Sequence, residues 1–147
     1  MPLSTGFTGR GITFEVGDDS SPPVFTAITN VTGISLGGQN AEEIDFTHLL
    51  SEGAFREFQQ GFKDGGTVQV TYHFDPLDTV QAALRTDFVS GRVFTWRINY
   101  NGAGVARAIE GLGFVQNSGD VDHNIDGPVS ATATIRITGG SSVVTLP

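Results

Sequence analysis

Apolar and polar residues alternate with a period of two through several short stretches of the chain. Between residues 67 and 74, Val68, Val70, Tyr72 and Phe74 fall on one side and Gln69, Thr71 and His73 on the other. That spacing predicts a strand with one buried and one wet face. The same pattern runs through residues 12–16, through 93–100 with Phe94, Trp96, Ile98 and Tyr100 on one face, and through 129–137 with Val129, Ala131, Ala133, Ile135 and Ile137 opposite Ser130, Thr132, Thr134 and Arg136. Residues 24–34 read as one long β-branched strand interrupted by Gly33. Residues 105–115 read as another, with Gly111 and Gly113 marking a bend or bulge. Period two beside Ile98 places Trp96, Phe94 and Tyr100 in a core rather than on an exposed sugar or base platform.

The pattern switches once to a helical period. Leu77, Val80, Leu84 and Phe88 predict a helix over residues 76–90, with Asp75 as N-cap, Pro76 at the first helical position and Gly91 just past the end. Residues 41–66 are less regular: 43–49 alternates and could be a strand, 54–58 fits a helical turn or a short strand equally, and 63–66 is a turn. A long irregular stretch inside a compact domain is more often functional than idle. The fold class expected is mainly β: a seven- or eight-strand antiparallel sandwich or barrel with one flanking α-helix. A single domain spans 1–147, with a flexible N-terminal arm (1–10), an irregular assembly loop (41–66) and a C-terminal tail (139–147).

Composition sharpens this picture. Of 147 residues 20 are glycine, and charged residues make up 16%, which suits strands and turns. There is no cysteine, so disulfides, thiolate metal sites and cysteine nucleophiles are excluded. No basic n-region and apolar h-region open the chain, so no signal peptide is expected, and no apolar run approaches the ~20 residues of a membrane helix. Sixteen acids against eight bases give a net charge of −8, which opposes sequence-independent binding of nucleic acid.

Candidate chemistry is sparse. His48, His73 and His123 lie far apart with no metal-ligand spacing, and no nucleophile elbow is present. Gly6-Phe7-Thr8-Gly9-Arg10-Gly11 lacks the Lys-Ser/Thr of a phosphate loop. Asp122-His123-Asn124-Ile125-Asp126-Gly127 matches the first half of a calcium loop, but its twelfth position is Ala133 instead of Glu, and a polar inter-strand loop explains it. No catalytic residue, metal or cofactor is expected. Arg56 and Glu57 between Phe55 and Phe58 suit either a contact surface or a local ion pair.

Asp45-Phe46-Thr47-His48-Leu49, then Ser51, Gly53, Arg56-Glu57-Phe58, Gly61 and Asp64-Gly65-Gly66, followed by Phe74-Asp75-Pro76 and Gln81-Ala82-Ala83-Leu84, resemble the tail tube proteins of long-tailed bacteriophages and gene transfer agents. Residues 11–17 and 131–139 look similar too, so the resemblance covers nearly the whole chain. It implies a β-sandwich with one flanking helix, a fold similar to the type VI secretion tube protein. Six copies would form a ring, and rings would stack into a hollow tube through which DNA passes without specific binding. The implied partners are further copies of itself and tape-measure, tail terminator and baseplate proteins, with no membrane. The implied location is the virion tail, made in the host bacterial cytoplasm. On this resemblance Thr47, His48, Arg56, Glu57, Phe58 and Asp64 are candidate subunit-interface residues. Gln69, Thr71, His73, Thr132, Thr134 and Arg136 are candidates for the lumen, an inward face that should be polar. A non-enzymatic β-sandwich binding module and a type VI-like tube are the alternatives.

Overall fold

The computed structural model describes residues 7–146. Residues 1–6 of the expected arm lie outside them. Its second half is docked: the Phe7 ring meets Tyr100 edge-on at 5.6 Å.

Seven strands form one antiparallel sheet in the order β2 (Phe25–Ala27), β1 (Thr13–Gly17), β7 (Phe94–Asn99), β8 (Arg107–Asp122), β9 (Ser130–Thr145), β6 (Thr67–His73), β3 (Val31–Leu36). Two further strands, β4 (Asn40–Asp45) and β5 (Phe58–Asp64), pair only with each other. The large sheet curls until β1 approaches β3. Its concave side encloses Phe14, Val68, Val70, Tyr72, Phe94, Trp96, Ile98, Val115, Ala131, Ala133, Ile135 and Ile137. These are the apolar halves of the period-two patterns, and Trp96 is fully buried with its indole N–H donating to the Leu112 carbonyl at 3.3 Å.

The curl depends on β8 and β9, each 16 residues long. Their shared ladder slips register between Gly111 and Leu112 and twice more between Val115 and Asp120. Bulges bend and twist a strand pair, so one ribbon serves both layers of the sandwich. Gly113 is required where the layers meet: a Cβ there would stand 2.7 Å from the Arg136 carbonyl oxygen.

Several expectations are corrected. Residues 24–34 are two strands, β2 and β3, separated by a turn in which Asn30 takes φ 59°. Residues 139–145, expected as a tail, are the second half of β9 and pair with the start of β8. Residues 41–66 hold a β4–β5 hairpin whose ladder slips register once, between Ala41 and Glu43, and whose loop is irregular.

The helix, α1, is Thr79–Ser90, one turn shorter than expected, because Asp78 rather than Asp75 caps it. The Asp78 carboxylate accepts from the Val80 N–H (2.8 Å), the Gln81 N–H (3.3 Å) and the Thr29 hydroxyl. Asp75 instead accepts from the Leu77 N–H in the preceding turn. The buried face of α1 is Gln81, Leu84 and Asp87, while Leu77 and Phe88 are exposed. Gln81 accepts from the Asp75 N–H and donates to the carbonyls of Thr29 and His73; Arg92 holds Asp87 with a two-point ion pair. Buried polar side chains with such partners displace the simple apolar stripe. Gly91 closes the helix at φ 69°, as expected.

Candidate functional site

The two expected wet faces are one face. In the β6–β9 ladder Gln69 stands opposite Thr134, Thr71 opposite Thr132 and His73 opposite Ser130, and directly paired residues point to the same side. The Thr71 and Thr132 hydroxyls lie 3.3 Å apart. β3 extends the face with Ser35 opposite Gln69, and the second half of β8 extends it with Asn117, Asp120 and Asp122 opposite Thr134, Thr132 and Ser130. Four strands thus present a polar sheet, β3-β6-β9-β8. β3 ends the hydrogen-bonded order, and β7 pairs with β8 only as far as Gly113. Neither edge of this polar sheet is thus hydrogen-bonded to a further strand among the described residues, although α1 packs against β8.

Arg136 is the one Lys or Arg among these face positions, and it is neutralised. Its Nη2 donates to Asp64 Oδ2 at 2.6 Å and its Nη1 to the Gly66 carbonyl at 3.4 Å. Asp64 also accepts from the Gly66 N–H, and these two bonds hold its carboxyl below the usual carboxylate range. A candidate lumen residue is thereby tied to a candidate interface residue at the foot of the hairpin.

The other five interface candidates sit at the far end of that hairpin, around residues 46–58. Thr47 and Glu57 cross-link the loop: the Glu57 N–H donates to Thr47 Oγ1 at 2.8 Å and the Phe46 N–H to the Glu57 carbonyl at 2.8 Å. The Glu57 carboxylate accepts from the Ser51 hydroxyl at 2.8 Å and lies 3.3 Å from His48 Nε2. His48 Nδ1 accepts from the Leu50 N–H, which assigns the ring proton to Nε2, facing Glu57. Asp45 accepts from the Thr47 N–H and hydroxyl, and its pKa is lowered by them. Thr47, His48 and Glu57 are therefore an internal clasp that shapes the tip. Arg56 and Phe58 are exposed and take no part in it.

What the clasp presents is apolar. Ile44, Phe46, Leu49, Leu50, Phe55, Phe58 and Phe62 are all exposed along this hairpin, an unusual concentration for a small domain. Of these, Phe58 alone is among the interface candidates of the sequence, with Phe55 noted only as a flank of Arg56. The signal of the others is visible too: they are large apolar residues crowded into a less regular stretch. In contrast, residues 123–129 form an exposed loop, and no cluster of metal-ligating side chains occurs among the described residues.

An open-edged polar sheet with a projecting apolar hairpin is a shape made for assembly, and the sequence carries the matching kinship. The profile of the lambda phage tail tube protein family matches residues 7–143. The chain belongs to that family. Its role is structural and not enzymatic: it is a subunit of a phage-type tail tube. No curated protein matches the sequence. Among solved structures the tail tube fold is shared with a chain of the native gene transfer agent virion (TM-score 0.73, 18% identity, covering 95% of this chain and 100% of that one). It is shared equally with the tail of the empty gene transfer agent particle, refined with C6 symmetry (0.72, 21%, 95% and 100%). The SPP1 tail tube is similar as well (0.66, 13%, 95% and 80%).

Proposed function

We propose that six copies of this chain close into a ring by joining their polar sheets edge to edge, β3 of one against the second half of β8 of the next, and that rings stack into a conduit for DNA. The observation that carries this reading is the pair of open edges flanking one continuous polar face. Unpaired edges invite strand addition, and a closed barrel removes them. The six-fold count is supported by the C6 symmetry of a similar tail. Six four-stranded sheets make a barrel of roughly 24 strands, about 115 Å around at ~4.8 Å per strand and wider once the strands tilt.

Gln69, Thr71, His73, Thr132, Thr134 and Arg136 line the lumen in this arrangement. Asp120 and Asp122 add negative charge, and the paired Arg136 offers little grip to phosphate, so DNA passes without being held. Thr47, His48, Arg56, Glu57, Phe58 and Asp64 belong to the contact between subunits. The tube ends would meet terminator and baseplate proteins, and a tape-measure protein would occupy the lumen before DNA does. Synthesis in the bacterial cytoplasm precedes incorporation into the tail.

Negative-stain electron microscopy of the purified chain, dilute and then concentrated, tests the reading. Hollow tubes or six-fold rings are the expected result. Monomers at every concentration, with no ring or tube, would overturn it. An exposed-platform binding module has lost its main support, because Trp96 is buried.

A further inference from the structure

Two features of the chain are complementary and lie at opposite poles. The hairpin leaves the large sheet through Gly65 and Gly66, at the Thr67 end of β6. It carries Leu49, Leu50 and Phe55 outward on a tip already fixed by the Thr47–Glu57 clasp. The cleft between α1 and the β1–β2 strands lies toward the other end of β6, where Gln81 of α1 bonds the His73 carbonyl. β6 alone separates the two by about 23 Å, seven residues at ~3.3 Å each.

This cleft holds about 380 Å³ and is floored by Val16, Ile28, Val80, Ala83 and Leu84. Its rim bears Asp18, Asp19 and Asp87 against one cation, Arg92. Arg92 pairs with Asp19 and Asp87, leaving the rim net negative; Asp18, also exposed, accepts the Ser20 and Val24 N–H groups on one carboxylate oxygen. On the tip, Arg56 sits beside Phe55 and makes no hydrogen bond or ion pair among the described residues. The same tip bears Glu52, while Glu57 is held inside the clasp by Ser51 and His48. The match is therefore between the apolar projection and the apolar cleft, with Arg56 as the one tip cation to set against the acidic rim. A projection on one pole and its socket on the other generate a head-to-tail contact that does not close on itself, which is the geometry of axial growth. Two other grooves fit less well. One, lined by Val31, Ile98 and Tyr100, borders the β3 edge that a lateral neighbour would cover, and another lies at the hairpin's own foot.

We infer that the hairpin tip of one copy seats Leu49, Leu50 and Phe55 in the α1/β1–β2 cleft of a second copy in the next ring, with Arg56 facing Asp18 on the rim. This assignment rests on the tube reading above and names the socket for its axial contact.

The chain has no cysteine, so any disulfide in a variant is an introduced one. Tubes grown from a Leu50→Cys/Ala83→Cys variant and oxidised mildly should give a ladder of cross-linked species extending past the hexamer on a non-reducing gel. A Leu50→Cys/Thr32→Cys variant, reporting on the groove beside β3, should give none. Glu52→Cys replaces Leu50→Cys as reporter if the latter stops tube growth. Ala83→Trp, which fills the cleft from an exposed helix position, should raise the concentration needed for tubes about tenfold without moving the unfolding midpoint. Tubes without a ladder, or a ladder from Thr32→Cys alone, would overturn the socket and leave the tube reading standing. A ladder that stops at six would overturn the axial assignment. A wild-type chain that never forms tubes would overturn the reading on which the inference rests.

Discussion

Trp96 and Phe55 are both large aromatics followed directly by an arginine, yet Trp96 is 0% exposed and Phe55 77%. The difference lies in what each element finds to pack against: Trp96 is in a strand, Phe55 in the tip between β4 and β5. β7, which carries Trp96, runs between β1 and β8, and its alternation is answered by Phe14 and by the glycines at 111 and 113 opposite it. The β4–β5 hairpin finds no partner in its own chain and is exposed from Asn40 through Leu50. An apolar residue is stabilised by whatever surface covers it, and in the proposed tube the surface for the hairpin comes from another copy. The body of the protein is folded by its own contacts; the apolar side chains of the hairpin are left exposed by theirs.

The sharpest way to break this contrast is to damage each region in turn. Trp96→Ala should cost about 3–5 kcal/mol, because a cavity that size in a packed core does not collapse. Urea unfolding would report it as a large drop in midpoint. Leu50→Asp should do the reverse. Its unfolding midpoint should match the parent, since surface changes stay within about 0.5 kcal/mol. Yet light scattering and electron microscopy should find no tubes. A Leu50→Asp chain that assembles normally would remove the tip from the contact.

Acid should separate the regions less strongly. Asp18 and Asp78, in the body, and Asp45 and Asp64, bracketing the hairpin, are all held below the usual carboxylate range by hydrogen bonds they accept. A depressed folded pKa contributes stability that is present above the unfolded value of about 3.9 and is lost as pH falls through the folded value. The unfolding midpoint should therefore stay level from neutral pH to about 4 and decline below it. Asp78→Asn should make that decline shallower, because Asp78 caps α1 and α1 belongs to the body. Asp45→Asn should leave the curve for global unfolding unchanged and alter only the hairpin. A curve that shifts equally for both would mean that hairpin and body unfold as one unit.

How much of this was legible beforehand follows the same division. The strands β6, β7 and β9 could be read residue by residue, because their apolar halves meet one another inside the chain and leave a strict alternation. Of the hairpin, the alternation of residues 43–49 announces β4 in part, but β5 and the pairing are not legible, because Phe58-Gln59-Gln60-Gly61-Phe62 has no internal core to impose a period. The sequence sets the helix start one turn early because Asp75 and Asp78 are equally good caps by residue type, and the Thr29 hydroxyl, 49 residues away, bonds Asp78. The end of β9 reads as a tail because Gly139-Gly140-Ser141-Ser142 has the composition of a loop; its ladder with β8 is a long-range fact. Long-range pairing also decides that the wet sides of β6 and β9 form a single face, which neither strand announces alone.

The smallest effect should appear where the two regions join. Arg136 stands on the polar face and reaches Asp64 at the foot of the hairpin, and Asp64 in turn accepts the Gly66 N–H at 2.8 Å. An exposed ion pair of this kind contributes little to global stability. Arg136→Ala should thus leave the urea midpoint where it is. Its consequence should be local: without the guanidinium, one of the two bonds holding the Asp64 carboxyl low is gone, so its pKa rises toward the ordinary value. An NMR titration of the carboxyl would follow that rise, and the Gly66 amide should exchange with solvent faster than in the parent while amides of β6 and β9 keep their protection. If β6 and β9 lost protection together with Gly66, the hairpin would be an integral part of the folded body, and the contrast between a self-covered core and an uncovered arm would fail at its joint.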